Sequence, residues 1–329
     1  MARALVAPDA FKGTFDAPTV ADALARGLED AGWEADRCPV ADGGEGTLEL
    51  LTGALGGQFE TVSATDPLGR PVTCRVGFAG ETAIVEMAQA SGLGLVAPAE
   101  RDAWRASTRG TGELVVAAVA TGAREIIVAG GGSATTDGGR GAIEAIRDGG
   151  GLGAARLVVL CDVETAFEDA PRIFGPQKGA DAATVVRLEE RLDAFARELP
   201  RDPRGVPATG VAGGLSGGLW AAFGAELRPG AAAVLDALGV DARMRAAQLV
   251  VTGEGRVDEQ SFGGKVVGEL VRRGRSFGVP VHAVAGSTTL PEAGWRPVGL
   301  ERVWTASTLD EIAAAGRALG AAVRTLRST

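Results

Sequence analysis

The 329-residue chain has no tyrosine, no asparagine and a single histidine, His282. A histidine-centred triad has only His282 to use, and a phenol acting as an acid is excluded. Without asparagine, the H-R-D-x-x-x-x-N catalytic loop of protein kinases is excluded as well. Cysteine is equally sparse: Cys38, Cys74 and Cys161 are odd in number and far apart. They fit neither a disulfide framework nor a C-x-x-C zinc site. Basic charge is in deficit, the formal net charge being -9. That argues against nucleic acid or an anionic membrane as a partner. No run approaches the roughly 18 consecutive apolar residues of a membrane helix. Pro8, Asp9 and Lys12 come too early for a signal-peptide core. The expectation is a soluble, cytoplasmic protein.

Lysine is the most telling scarcity. Of 33 basic residues only Lys12, Lys178 and Lys265 are lysine, and all three touch a glycine. Arginine and lysine are not interchangeable where a compact ammonium meets a phosphate or hydroxyl in a narrow pocket. A solvated surface would tolerate arginine at these places, so three survivors beside glycine point to function. Glycine itself is abundant, with 50 residues clustered between apolar runs and no G-x-y period. Collagen is excluded, and many tight backbone turns are implied.

The order of elements reads strand, glycine-bearing loop, helix. Ala4-Leu5-Val6-Ala7 predicts a buried strand. Asp16 predicts a helix cap, with Pro18 in the first turn and Gly32 past the end. A second strand is expected over 35–40 and a second helix over 47–55. Further strands are expected at 248–252, 280–285 and 301–305, with helices at 265–273 and 309–326. Between them, 59–64, 72–78 and 82–87 read as an antiparallel meander. Strands at 125–128 and 156–160 and helices at 112–121 and 182–198 follow. The fold class is therefore α/β in two domains. A doubly wound, flavodoxin- or Rossmann-like three-layer domain is built from 1–62 and 241–329. An inserted α+β domain occupies 63–240. His282 reads as a core histidine, and the cysteines as small apolar residues.

Four glycine-rich loops each follow a predicted strand and carry an acid or a lysine: Asp9–Gly13, Ala41–Gly46, Gly130–Gly139 and Thr252–Asp258. Carboxyl ends of strands in open α/β sheets are where ligands bind, and successive N–H groups there form anion nests. Gly130, Gly131 and Gly132, followed by the hydroxyls of Ser133 and Thr135, make the strongest phosphate candidate. Asp42, Asp137, Asp162 and Asp258 are candidates for Mg²⁺, which wants one or two carboxylates plus phosphate oxygens. Walker A fails, because Gly264-Lys265 is followed by Val266 and position 259 is Glu rather than Gly. A dinucleotide G-x-G-x-x-G does not follow the first strand.

Taken together, the segments A-P-D-x-F-K-G, V-A-D-G-G-E-G, E-M-A-x-A-S-G-L, S-T-R-G-T-G-E-L, G-G-S-A-T-x-D-G-G, F-G-P-Q-K-G-A and T-G-E-G-R-V-D-x-Q-S occur in order from Ala7 to Ser261. This set resembles the glycerate kinase family, bacterial type I. The resemblance implies MgATP-dependent phosphorylation of D-glycerate, most often at the 2-hydroxyl, in a two-domain fold with an interdomain site. On that reading Lys12, Asp42, Asp137 and Lys178 are catalytic candidates, with Lys12 and Lys178 neutralising phosphate oxygens and Asp42 or Asp137 acting on the hydroxyl. Gly130, Gly131, Gly132, Ser133, Thr135 and Lys265 would hold the nucleotide. Asp9, Arg109, Glu254 and Arg256 would bind the acceptor, and Asp162 or Asp258 would lie near Mg²⁺. The expected partners are ATP and D-glycerate, with a homodimer open as an assembly. Ala10, Thr136, Glu164-Thr165-Ala166, Gly263 and the short stretch between Gly141 and Leu157 depart from the family pattern. These departures keep open a kinase for another hydroxy or sugar acid, or a non-catalytic nucleotide- or metabolite-sensing relative.

Overall fold

Eleven strands form among residues 2–327, which the computed structural model describes. They are β1 (Ala2–Pro8), β2 (Trp33–Arg37), β3 (Gln58–Thr65), β4 (Pro71–Ala79), β5 (Thr82–Glu86), β6 (Glu125–Ala129), β7 (Arg156–Cys161), β8 (Glu226–Pro229), β9 (Leu249–Val257), β10 (Val281–Thr288) and β11 (Leu300–Thr305). The chain divides into two units, Met1–Asp42 with Ala231–Thr329, and Gly43–Gly230.

The first unit is a sheet in the order β11-β10-β9-β1-β2, with every neighbouring pair parallel. Its central strands β1, β9 and β10 carry apolar runs buried on both faces, as a parallel sheet covered on two sides requires. Helices Ala17–Asp30 and Leu309–Arg327 bury Val20, Leu24, Leu28, Ile312 and Leu319 against one face. Helices from 230 to 277 bury Leu235, Val240, Met244, Val267 and Leu270 against the other. The predicted cap is present: Asp16 accepts a hydrogen bond from Thr19 N at 2.8 Å. His282 is buried in β10 with its ring 5.8 Å from that of Trp304, and burial pulls its pKa down to about 4. All three cysteines are free thiols and buried.

The second unit carries a mixed sheet in the order β3-β4-β5-β6-β7-β8. The meander pairs antiparallel from β3 to β5, after which the remaining pairs are parallel. The sequence boundaries near 62 and 241 differ from this division. Strand β3 pairs along its whole length with β4, and helix Thr47–Ala54 is tied to β5 through Glu86. Both therefore go with 43–230 and not with the first unit. Helix Gly230–Ala237 differs the other way, joining the first unit from Ala231 on, because its apolar face, like that of helix Val240–Ala246, completes the core under β1 and β9.

Candidate active site

In the first unit, a cavity of about 490 Å³ opens at the carboxyl ends of β1, β9 and β10. β1 ends at Pro8, and Asp9 N donates to Gly253 O at 2.8 Å, which turns the chain over the end of β9. Phe11 is buried and anchors the loop, so the next residue, Lys12, is left projecting. The Lys12 ammonium lies 3.0 Å from Oδ2 of Asp42, with side chains 57% and 3% exposed respectively. β9 continues to Val257 and delivers Glu254 and Arg256 to the same cavity, which Asp258 and Lys265 also line. Seven residues singled out by the sequence thus converge: Asp9, Lys12, Asp42, Glu254, Arg256, Asp258 and Lys265.

Carboxylates crowd this cavity, and burial sets their protonation. Asp9 is pushed up to about 8, first by burial and then by the negative charge of Asp42, with Lys12 opposing. Glu254 rises to about 7, again chiefly through burial, with the Ser261 hydrogen bond and Lys265 opposing. Carboxyl groups held apart in this way can divide donor and acceptor roles at neutral pH. Glu254 Oε1 is buried and has no hydrogen-bond partner. Asp258 is partly committed elsewhere: its Oδ1 accepts from Gln260 N at 3.0 Å, and Arg256 lies 3.6 Å away. Among the described residues no group of three or more His, Cys, Asp or Glu side chains has metal-binding geometry. An ion such as Mg²⁺, which takes most of its oxygens from phosphate and water, would find here the Asp258 carboxylate and the unpartnered Oε1 of Glu254.

The remaining sequence candidates belong to the second unit, gathered about the loop that follows β6. Gly131 packs so closely on Gly44 that a Cβ would meet Gly44 Cα, which explains a glycine there. The Lys178 ammonium is buried and donates to Ser133 Oγ at 2.7 Å and Thr135 O at 2.6 Å. Burial draws its pKa down to about 7 against the pull of Asp137 and Asp162. Arg191 adds a second, half-buried cation, donating to Thr136 O at 2.6 Å and Trp104 O at 2.7 Å. The loop is thus held from beneath by two positive groups bonded to its own carbonyls.

Two expectations change here. Asp137 accepts from Thr108 N and Thr108 Oγ1 at 2.8 Å, from Gly139 N at 3.1 Å and from Gly141 N at 3.2 Å. Those donors commit it to anchoring helix Arg140–Asp148, which is a different task from taking a substrate proton. Arg109 pairs with Glu113 and Asp148, each at 3.3 Å, so its guanidinium is spent on neighbouring carboxylates. Lys178 reaches the loop with an ammonium closed off from solvent, unlike the projecting Lys12. Asp162 stands in the second unit, within electrostatic reach of Lys178.

Sequence reasoning passed over Glu86. This buried carboxylate accepts from Gly46 N at 3.0 Å and Leu48 N at 3.1 Å, closing the start of helix Thr47–Ala54. Burial, more than its like-charged neighbours Glu49 and Glu45, lifts it to about 7. A signal existed, since Glu86 opens the E-M-A segment. Also passed over was the Val211–Phe223 helix, whose entry holds Ala212, Gly213 and Gly214 at φ of 57°, 67° and 92°. A Cβ on Gly213 would strike Thr135 O, so this left-handed turn packs directly on the loop.

A sequence profile of the glycerate kinase family matches residues 4–148 and 150–329. The chain is 36% identical over 350 residues to the Glycerate 2-kinase of Escherichia coli (strain K12), spanning 93% of this chain and 92% of that protein. It is 38% identical over 322 residues to the Glycerate kinase of Bacillus subtilis (strain 168), spanning 86% and 84%. A solved structure from Salmonella typhimurium LT2, described as a glycerate kinase 2, matches with a TM-score of 0.82 and 32% identity over 100% of both chains.

Proposed function

The chain belongs to the glycerate kinase family, and from that premise we propose that it transfers the γ-phosphoryl group of MgATP to D-glycerate, with the 2-hydroxyl as acceptor. The relative named Glycerate 2-kinase supports the choice of hydroxyl. The observation that carries the reading is the Lys12–Asp42 pair at 3.0 Å beside buried Asp9 in one cavity.

Phosphoryl transfer asks a protein mainly for positioning and positive charge around the phosphate oxygens. Lys12 supplies a compact, projecting ammonium for the transferred group. Asp42, lying beside it, accepts the hydroxyl proton, the usual task of a positioned carboxylate. Asp9, held protonated by burial, donates a hydrogen bond to an acceptor oxygen. Arg256 offers a planar fork to the glycerate carboxylate. Asp258 and the unpartnered Oε1 of Glu254 would hold Mg²⁺, which when bound with the nucleotide neutralises phosphate charge. The Gly130–Gly139 loop, with Ser133 and Thr135, keeps the assignment to nucleotide phosphates. Lys178 acts there as a positioning residue. Among the described residues no helix is long and apolar enough to cross a membrane, and we place the activity in the cytoplasm.

A coupled assay for ADP release, run with and without D-glycerate, tests this directly. ADP should appear only with both substrates, and the product should be 2-phosphoglycerate by NMR. Equal ADP release without acceptor, or none with any hydroxy acid tried, would refute the reading.

A further inference from the structure

A second cavity of about 490 Å³, wholly within the second unit, is lined by residues 99–102, by Trp104 and Arg105, and by Gly179, Thr184 and Arg187. Three of its lining groups are arginines: Arg101, Arg105 and Arg187. Among the described residues none of the three has a carboxylate within ion-pairing distance, although the chain as a whole is acidic. The two acids on its rim are engaged. Glu100 is held by Arg70 at 3.3 Å, and Asp102 Oδ1 accepts from Trp104 N at 3.0 Å and Arg105 N at 3.1 Å.

The positive groups are also prearranged. Arg187 lies over the Trp104 ring at 4.2 Å, and stacking of this kind fixes the plane of a guanidinium while leaving its edge free to donate. Arg191 lies over the same ring at 4.5 Å and spends its hydrogen bonds on backbone carbonyls, so its charge adds to the local field without cancelling it. Arg101 Nε is buried and donates to nothing among the described residues, while Nη1 reaches Gln177 O only at 3.4 Å. A buried unpaired donor is costly and expects a partner. Thr184 belongs to the first turn of the 17-residue helix Ala182–Glu198, whose N-terminus is capped by Asp181, a solvent-exposed acid that accepts from Thr184 N at 2.7 Å and lies within electrostatic reach of Arg187.

We propose that this cavity binds an oligophosphate anion, bridged between the Arg101, Arg105 and Arg187 guanidiniums. A single phosphate would fill a small part of the volume, whereas linked phosphates fill more of it and offer a bidentate edge to more than one guanidinium at once. Nothing in this proposal rests on the glycerate kinase reading. The phosphate could be free or could be the tail of a nucleotide, and the test separates these.

Calorimetric titration with inorganic pyrophosphate is the measurement. Arg105 and Arg187 are both exposed, so Arg105→Gln/Arg187→Gln should fold normally, as its melting temperature will show. Wild type should bind with a Kd of about 1 mM or tighter. The double variant should bind about tenfold or more weakly, the loss expected on removing charged donors. Lys12→Met/Lys265→Met, altered only in the first unit, should retain the site within about twofold. Competition by ADP in that lysine variant would identify a nucleotide tail as the source, and no competition a free oligophosphate. Absence of pyrophosphate binding, or binding indifferent to Arg105 and Arg187, would overturn the proposal.

Discussion

Lys178→Met removes a buried ammonium and keeps most of the side-chain volume, which makes it the sharpest probe of how the Gly130–Gly139 loop is built. In the native protein Nζ donates to Ser133 Oγ at 2.7 Å and Thr135 O at 2.6 Å, and the crevice beside it has no room for water. Substitution leaves both oxygens without this donor, at about 1–3 kcal/mol for each buried group left unsatisfied. Part of that is offset, because methionine has no charge to desolvate. The pH dependence separates the two effects. Burial lowers the Lys178 pKa from 10.5 to about 7, so between those values the unfolded chain binds a proton that the folded protein has shed. Stability carried by Lys178 therefore rises as pH climbs from 7 toward 10.5, and is lost as pH falls through 7. At about 1.4 kcal/mol per pH unit, the ceiling over that window is about 5 kcal/mol.

The assay is denaturant unfolding of wild type and Lys178→Met at pH 6, 7.5, 9 and 10. Wild type should gain on the variant steadily above pH 7, by at least about 1–2 kcal/mol. Lys178→Arg is the companion. A guanidinium is wider than an ammonium, and overpacking a closed site costs typically 1–3 kcal/mol, so this variant should melt lower despite its retained charge. Parallel stability curves for wild type and Lys178→Met, together with an unshifted Lys178→Arg, would refute the view that this ammonium is buried and bonded to the loop.

Lys12 should behave in the opposite way: Lys12→Met should lower kcat by about 100-fold or more while the protein still unfolds cooperatively near its normal temperature, by steady-state kinetics and calorimetry. Asp42→Asn should cost about 10²–10⁴ in turnover if Asp42 takes the hydroxyl proton, with nucleotide affinity by titration nearly unchanged. Glu86 has a raised pKa of about 7, so its contribution to stability is full below 4.5 and lost as pH rises through 7. Wild type should accordingly lose ground to Glu86→Gln between pH 4.5 and 7 in urea unfolding, the reverse of the Lys178 effect.

The architecture was legible because local rules and tertiary packing agree over most of the chain. Buried apolar runs at β1, β9 and β10 could only be covered strands, and Asp16 with Pro18 marks a helix start that the structure reproduces through the Thr19 hydrogen bond. Legibility failed where glycine carries the geometry. The entry to helix Val211–Phe223 depends on three consecutive left-handed residues, one of them Ala212, and no hydrophobic period survives such a turn. Strand β8 has only four residues, too few to show a period of its own. The expected boundary near 62 falls within β3, which is exposed over most of its length, and that exposure hides its partnership with β4.

The candidate site shows the same limit more clearly. Scarcity picked out Lys12, Lys178 and Lys265 as a class, since arginine would serve wherever only charge was needed. Scarcity says nothing of direction. Lys12 follows the buried Phe11, so its side chain is driven outward to Asp42. Lys178 ends a short turn closed by left-handed Gly179, and its side chain runs inward to carbonyl and hydroxyl oxygens. On the function proposed above, both need a slim head, one because a substrate phosphate would share the space and the other because the protein already fills it. Only the packing of the residues on either side separates these two reasons, and the variants Lys12→Met and Lys178→Met convert that difference into opposite signatures: lost turnover with stability kept at position 12, lost stability with a changed pH slope at position 178.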